Sequence, residues 1–211
     1  NIEDVSDTSN VSNLAEYIID GYVINSRRID DKLYVVSTYS PQMVIEDYPE
    51  NDAERQVFYE ALSQDDSVQL LPNIKTAGES KPLVSASSCY LPSGSQPTHG
   101  YASVVTLTTL DLTSPGNYES VCVLTSVSGF YASTKAIYFY GTQYDETDGS
   151  AQANTVIHKF SYEEDTVRYS ATGKVKGRVG WNNPHLRFSE QDDYLRVLTT
   201  DRDWQQGKID H

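Results

Sequence analysis

Little in this chain is suited to metal or covalent chemistry. Cys89 and Cys122 are the only cysteines, so no metal site built on paired cysteines is available. The two could form one disulfide in an exported protein or stay as buried thiols, and Cys122, in the strand-like stretch SVCVLTSV, suits a core thiol as well as a bridge. The four histidines are His99, His158, His185 and His211, and none has a partner at the two- or four-residue spacing of a metal motif. His158 alternates with Ile157 and Lys159, which predicts a packing or surface role in a strand. No Gly-x-Ser-x-Gly elbow and no Walker or Rossmann glycine pattern occurs; Ser93-Gly94-Ser95 and Ser128-Gly129 read as turns. No catalytic residue is therefore assigned. No apolar run approaches the ~20 residues that span a bilayer. Basic residues are also scarce, 16 against 30 acids, for a net charge of −14. Such a surface repels phosphate backbones and anionic lipid, which argues against nucleic acid and membrane and leaves cations, basic proteins and neutral ligands. The chain starts at Asn1 without a signal-peptide pattern, and a piece trimmed from a longer protein is expected.

What the chain does have is tyrosine and a repeated phrase. Sixteen tyrosines in 211 residues favour strands, where aromatic rings pack on a pleated surface. INSRRIDDKLYVVSTY (24–39), FYASTKAIYFYGTQY (130–144) and LRFSEQDDYLRVLTTD (186–201) align on Leu33, Ile137 and Leu195. Each is followed five residues later by a threonine: Thr38, Thr142 and Thr200.

Asp20-Gly21 gives a tight-turn signal between two apolar runs, and Asp30-Asp31 a second one before LYVVSTY, which together predict an antiparallel hairpin. Residues 41–95 break the pattern. There, Asn51 is placed to cap a helix with Glu54 three residues on, and Ala53, Val57, Phe58, Ala61 and Leu62 recur at helical spacing. Strand character resumes at 101–112 and 119–127. After the second phrase, 155–165 and 166–177 continue in the same way, with Leu107, Leu110 and Leu112 matching Ile157, Phe160 and Tyr162, and Val121 and Val123 matching Val167 and Tyr169.

The unit is thus four short strands. Leu33 to Ile137 spans 104 residues; setting aside an insertion of 54 leaves 50, close to the 58 from Ile137 to Leu195. A four-stranded unit recurring at about 50 residues is the spacing of β-propeller blades. Apolar side chains on both parities support it: Leu33/Val35, Ile137/Phe139 and Leu195/Val197 would face one neighbouring blade, Tyr34/Val36, Tyr138/Tyr140 and Arg196/Leu198 the other. The expectation is an all-β chain: a partial β-propeller of about two and a half antiparallel four-stranded blades, all of 1–211 a fragment of one propeller domain, with the helical insertion at 41–95. Unfilled stacking faces at its ends would invite self-association.

SRRIDDKLYVVSTYSP (26–41), TVIHKFSYEEDTVRYSATGKVKGRV (155–179) and RFSEQDDYLRVLTT (187–200) resemble a family of secreted bacterial and archaeal β-propeller proteins distantly related to WD40 repeats. The likeness covers most of 23–40 and 100–201 and departs at Asn182-Asn183-Pro184-His185. Members are longer than this chain. The resemblance implies a central piece of a propeller, a secreted or cell-envelope location and no known activity, and it carries over no catalytic residue.

Two sets of residues remain as candidates. Asp145, Asp148 and Asn154 flank Gly149 in an oxygen-rich loop of the kind that holds calcium, although the spacing is not that of an EF-hand, the closing acid is missing and a solvated hairpin fits better. Calcium is the one cofactor this composition suggests. Trp181 and Asn182, in the glycine-flanked GRVGWNN, are candidate ligand contacts; Trp181 and Trp204 also suit blade packing. Asp30-Asp31 and Asp192-Asp193 occupy equivalent turns and read as structural. The expected function is a non-enzymatic exported scaffold that binds a protein or glycan through loops at one end, with the insertion as a specialised contact surface. The alternatives are a hydrolase or lyase whose site at the channel mouth is completed by other blades, and a calcium-stabilised structural domain.

Overall fold

The computed structural model describes residues 1–41, 48–64, 69–91, 103–147, 150–163, 166–180, 182–203 and 208–210. The chain divides into two compact units, Asn1–Thr125 and Ser126–His211.

The first unit holds a blade of β1 (Tyr22–Ile29), β2 (Lys32–Tyr39), β3 (Val104–Asp111) and β4 (Tyr118–Leu124), hydrogen-bonded antiparallel in chain order. β1 and β2 are joined through Asp30, whose φ of 50° is the left-handed backbone that Asp tolerates in tight turns. Asp20-Gly21 does not close a hairpin. Tyr17–Ile19 leaves for a second sheet with Asn73–Thr76 and Glu79–Pro82, and Gly21, at φ 96°, turns the chain between the sheets. A Cβ there would come within 2.2 Å of the Thr38 carbonyl oxygen, so only glycine fits. The Asp20 carboxylate instead anchors the insertion, accepting from the Asn73 amide (3.0 Å) and Gln69 Nε2 (2.7 Å).

In the insertion, the helix Asp52–Ser63 begins as its sequence predicts. Asn51 Oδ1 accepts from the Glu54 amide at 3.0 Å, and Glu54 returns bonds to the Glu50 amide and the Asn51 side chain. No helical residue is buried, and Val57 is 67% exposed. Past the helix, part of the insertion packs into the core. Ile74, Leu83, Val84, Tyr17 and Ile19 pack on Val104, Cys122, Tyr118 and Leu124 of the blade. Cys89 is disulfide-bonded to Cys122, and Cys89–Tyr90 pairs parallel to β4 as a fifth strand. One blade face is thus covered by the protein's own insertion. On the other face, Val36, Leu107 and Val105 are fully buried as well.

The second unit holds a blade of β5 (Gly129–Ala132), β6 (Ala136–Thr147), β7 (Ser150–Glu163) and β8 (Thr166–Lys176), followed by the hairpin β9 (Phe188–Gln191) and β10 (Tyr194–Val197). The hairpin turns through Asp192 at φ 55°, the counterpart of Asp30. Ile137, Phe139, His158 and Phe160 are buried on one blade face. On the opposite face Ala136, Tyr138, Tyr140 and Ile157 pack on Phe188, Leu195 and Val197 of the hairpin. One sheet covering the next is how propeller blades bury two faces each. Tyr194, Arg196 and Leu198, on the hairpin's other side, stay exposed.

Register confirms most of the repeat alignment. Leu33 lies opposite Leu110, and Ile137 opposite Phe160, as the matched spacing requires. The fourth strands differ from the alignment: Tyr118 is opposite Leu110 and Tyr169 opposite Phe160, so Tyr118 and not Val123 is the counterpart of Tyr169. The cause is turn length. β3 and β4 are linked through the Ser114–Asn117 loop, whereas β7 and β8 pair out to Glu163 and Thr166 and carry a bulge at Lys159/Phe160.

Candidate functional site

The second and third phrases meet at one end of the second unit. β6 continues past its core residues to Gly141, where a Cβ would lie 2.1 Å from the Ser126 carbonyl oxygen. The chain entering the blade therefore runs hard against β6, and the Ser128 amide donates to the Tyr140 carbonyl at 2.8 Å. The chain leaving β8 is held just as closely. Thr155 Oγ1 donates to the Gly177 carbonyl and Thr199 Oγ1 to the Lys176 carbonyl, at 2.8 and 2.7 Å, and Arg178 and Thr200 exchange two backbone hydrogen bonds of 2.9 Å. Between these segments lies a cleft of about 440 Å³ lined by Ser128, Tyr140, Thr142, Tyr144, Arg178, Val179, Gly180, Pro184 and Thr200.

Among the described residues that line the cleft, Arg178 is the one charged side chain. Tyr140 is buried against Phe188, ring centroids 4.6 Å apart, and its burial raises the phenol pKa, so it stays protonated. Tyr144 is 57% exposed at the rim. Arg178 Nη1 donates to its hydroxyl at 3.4 Å. The neighbouring carboxylates are taken up elsewhere: Asp145 by Lys174 and by Asn154 Nδ2, Asp201 by Lys176 at 2.5 Å. Among the described residues, neither a carboxylate nor a histidine lines the cleft.

A family model of the beta propeller domain matches residues 1–211. The chain belongs to the beta propeller domain family. No curated protein and no solved structure matches it. The propeller architecture is that of a scaffold for binding, and none of its helices among the described residues is long and apolar enough to cross a membrane.

Of the predicted site residues, Asn182, Asp145 and Asn154 are described, and neither Asn182 nor Asp145 lines the cleft. Asn182 is exposed on the loop whose flanks, Gly180 and Pro184, line the cleft; Trp181 lies outside the described residues. Asp145 is held by Lys174 and Asn154, Asn154 is buried, and Asp148 and Gly149 lie outside the described residues. Among the described residues no group of three or more His, Cys, Asp or Glu is placed to hold a metal. His158 is buried, its Nδ1 2.6 Å from Thr172 Oγ1; burial lowers its pKa and keeps it neutral. His185 is exposed, and His99, His211, Trp204 and Ser93 to Ser95 lie outside the described residues.

Sequence reasoning marked Thr142 and Thr200 only as repeat positions. Their shared place in the cleft was the available signal, since equivalent residues of successive blades lie at one end of the stack. Tyr144 and Arg178 carried no such mark. A second cluster was also missed. Glu190, its side chain 4% exposed, accepts from Ser133 Oγ and from Tyr138 Oη (2.6 Å), with Lys159 Nζ at 3.6 Å. Burial pushes its pKa up, but the bonds from Ser133 and Tyr138 and the Lys159 charge outweigh that and hold it below the ordinary value. Tyr138 moves upward, through burial and the Glu190 bond. Joining β6 and β7 to the hairpin, this carboxylate is a strut with no access for a substrate.

Proposed function

We propose that this propeller domain is a non-enzymatic exported scaffold that binds a glycan in the cleft at the Thr142/Thr200 end. The observation carrying this reading is the cleft itself. Its volume, about 440 Å³, falls in the range of small-molecule sites, far from the broad flat area of a protein contact. Its wall of tyrosine rings and hydroxyls supplies what a sugar ring needs: an apolar platform for its C–H face and short donors and acceptors for its hydroxyls. Glycoside hydrolysis uses a pair of carboxylates, and none lines the cleft among the described residues. The Cys89–Cys122 disulfide supports an oxidising, extracytoplasmic location. The charge of −14 works against nucleic acid as the ligand.

The test is an oligosaccharide array probed with the domain and with Tyr144→Ala. The expected result is retention of a subset of glycans without turnover, weakened about tenfold or more by the loss of one aromatic platform. No retained glycan, or retention indifferent to Tyr144→Ala, would refute the assignment.

A further inference from the structure

Resting on that glycan reading, we propose that the cleft selects sugars that bear a carboxylate, with Arg178 as the pairing cation and Tyr144 as the ring platform. The argument is electrostatic. In a chain with 30 acids and 16 bases, a basic side chain near acids is expected to be consumed by them. Lys174 and Lys176, the two lysines that precede Arg178 on β8, follow that rule and pair with Asp145 and Asp201. Arg178 does not. The Tyr144 hydroxyl is its one side-chain partner among the described residues, at a long 3.4 Å. The two carboxylates nearest in sequence to Tyr144 and Thr200 are thus neutralised by lysines, and the guanidinium is left over at the wall of a cleft. Arg187 backs the same loop, its Nη2 2.9 Å from where a Gly180 Cβ would stand.

A guanidinium presents its donors as a planar fork that fits both oxygens of one carboxylate. An uncharged sugar would leave that fork half used. The protein's net negative charge does not forbid an acidic ligand, because at physiological salt its field decays over about 8 Å and the contact is decided inside the cleft. Ser128, Thr142 and Thr200 then lie along the cleft wall for the ring hydroxyls.

Titration calorimetry tests this with uronic-acid trisaccharides of gluco, galacto and manno configuration, each beside its methyl ester, which keeps the shape and removes the charge. An acetylated Glu-containing tetrapeptide serves as a non-sugar carboxylate. The expected result is that at least one acid binds about tenfold or more tighter than its ester, the usual weight of a charge-assisted hydrogen bond. Arg178→Gln should abolish that preference, and Arg178→Lys should keep part of it. Esters binding as well as acids, with loss in Tyr144→Ala, would overturn the carboxylate assignment while leaving the glycan cleft standing. Binding of the peptide and of no sugar would overturn the sugar class. Absence of all binding by a domain with an unchanged circular dichroism spectrum would overturn both readings.

Discussion

Replacing Glu190 by alanine is expected to lower unfolding stability by about 3 kcal/mol at neutral pH, the weight of losing charge-assisted hydrogen bonds from the half-buried Ser133 and the buried Tyr138. Ser133 and Tyr138 would be left facing a hole at the contact between the second blade and the hairpin, while Lys159, a third exposed along its side chain, would recover water. In a chain of this size the loss corresponds to a fall in Tm of about 10 °C. Glu190→Gln adds a pH signature. The folded-state pKa of Glu190 lies below the ordinary 4.5. Its charge therefore contributes fully above that value, and the contribution fades as the pH falls through the folded pKa. The stability gap between wild type and Glu190→Gln should be constant from neutral pH down to about 5 and should close in stronger acid. His158, neutral by burial, also costs stability below its ordinary 6.5, but equally in both proteins. A pH-independent gap in denaturant titrations would mean that the carboxylate is not charged in the fold.

Removing the Cys89–Cys122 bridge should cost about as much. The sulfurs join residues 33 apart in sequence, and closing a loop of that length in the unfolded chain is worth about 3–4 kcal/mol by the chain-entropy relation. The bridge also fastens the insertion to β4, on the face where Ile74, Leu83 and Val84 cover Val104. Cys89→Ser with Cys122→Ser should therefore lower the denaturant midpoint and expose amides at 73–90 to exchange before those of β2 and β3. Equal midpoints for wild type, the double variant and the reduced protein would show that the insertion is held by packing alone.

Much of this fold was legible in the chain because the blade imposes it. A sheet covered on both faces needs apolar residues at both parities, and Tyr34, Val35 and Val36 announce that as clearly as Ile137 to Tyr140. Turns were legible where one residue decides the backbone, as with Asp30 and Asp192. Asp20-Gly21 misled because the left-handed glycine that suits a hairpin equally suits a chain passing between two sheets; what decides is Asn73, more than 50 residues away. The fourth-strand register failed for a similar reason, since a bulge and a loop length leave no periodic trace. Of the cleft, the threonines and the loop around Asn182 could be read, because repetition and glycine mark them. Tyr144 and Arg178 look like ordinary surface residues in sequence, and their meaning comes only from Lys174 and Lys176 having claimed the nearby acids. Glu190 was hidden because a lone carboxylate in a strand carries no sign of burial.

On the glycan proposal, ligand binds where Thr142 and Thr200 converge. This is tested most directly by amide chemical shifts of the isotope-labelled domain during titration with an oligosaccharide retained on the array. The perturbed amides are expected to cluster at 126–128, 140–144, 177–183 and 199–200. Perturbation centred instead on the helix Asp52–Ser63, or on the opposite blade end at Ser133 and Lys135, would contradict it.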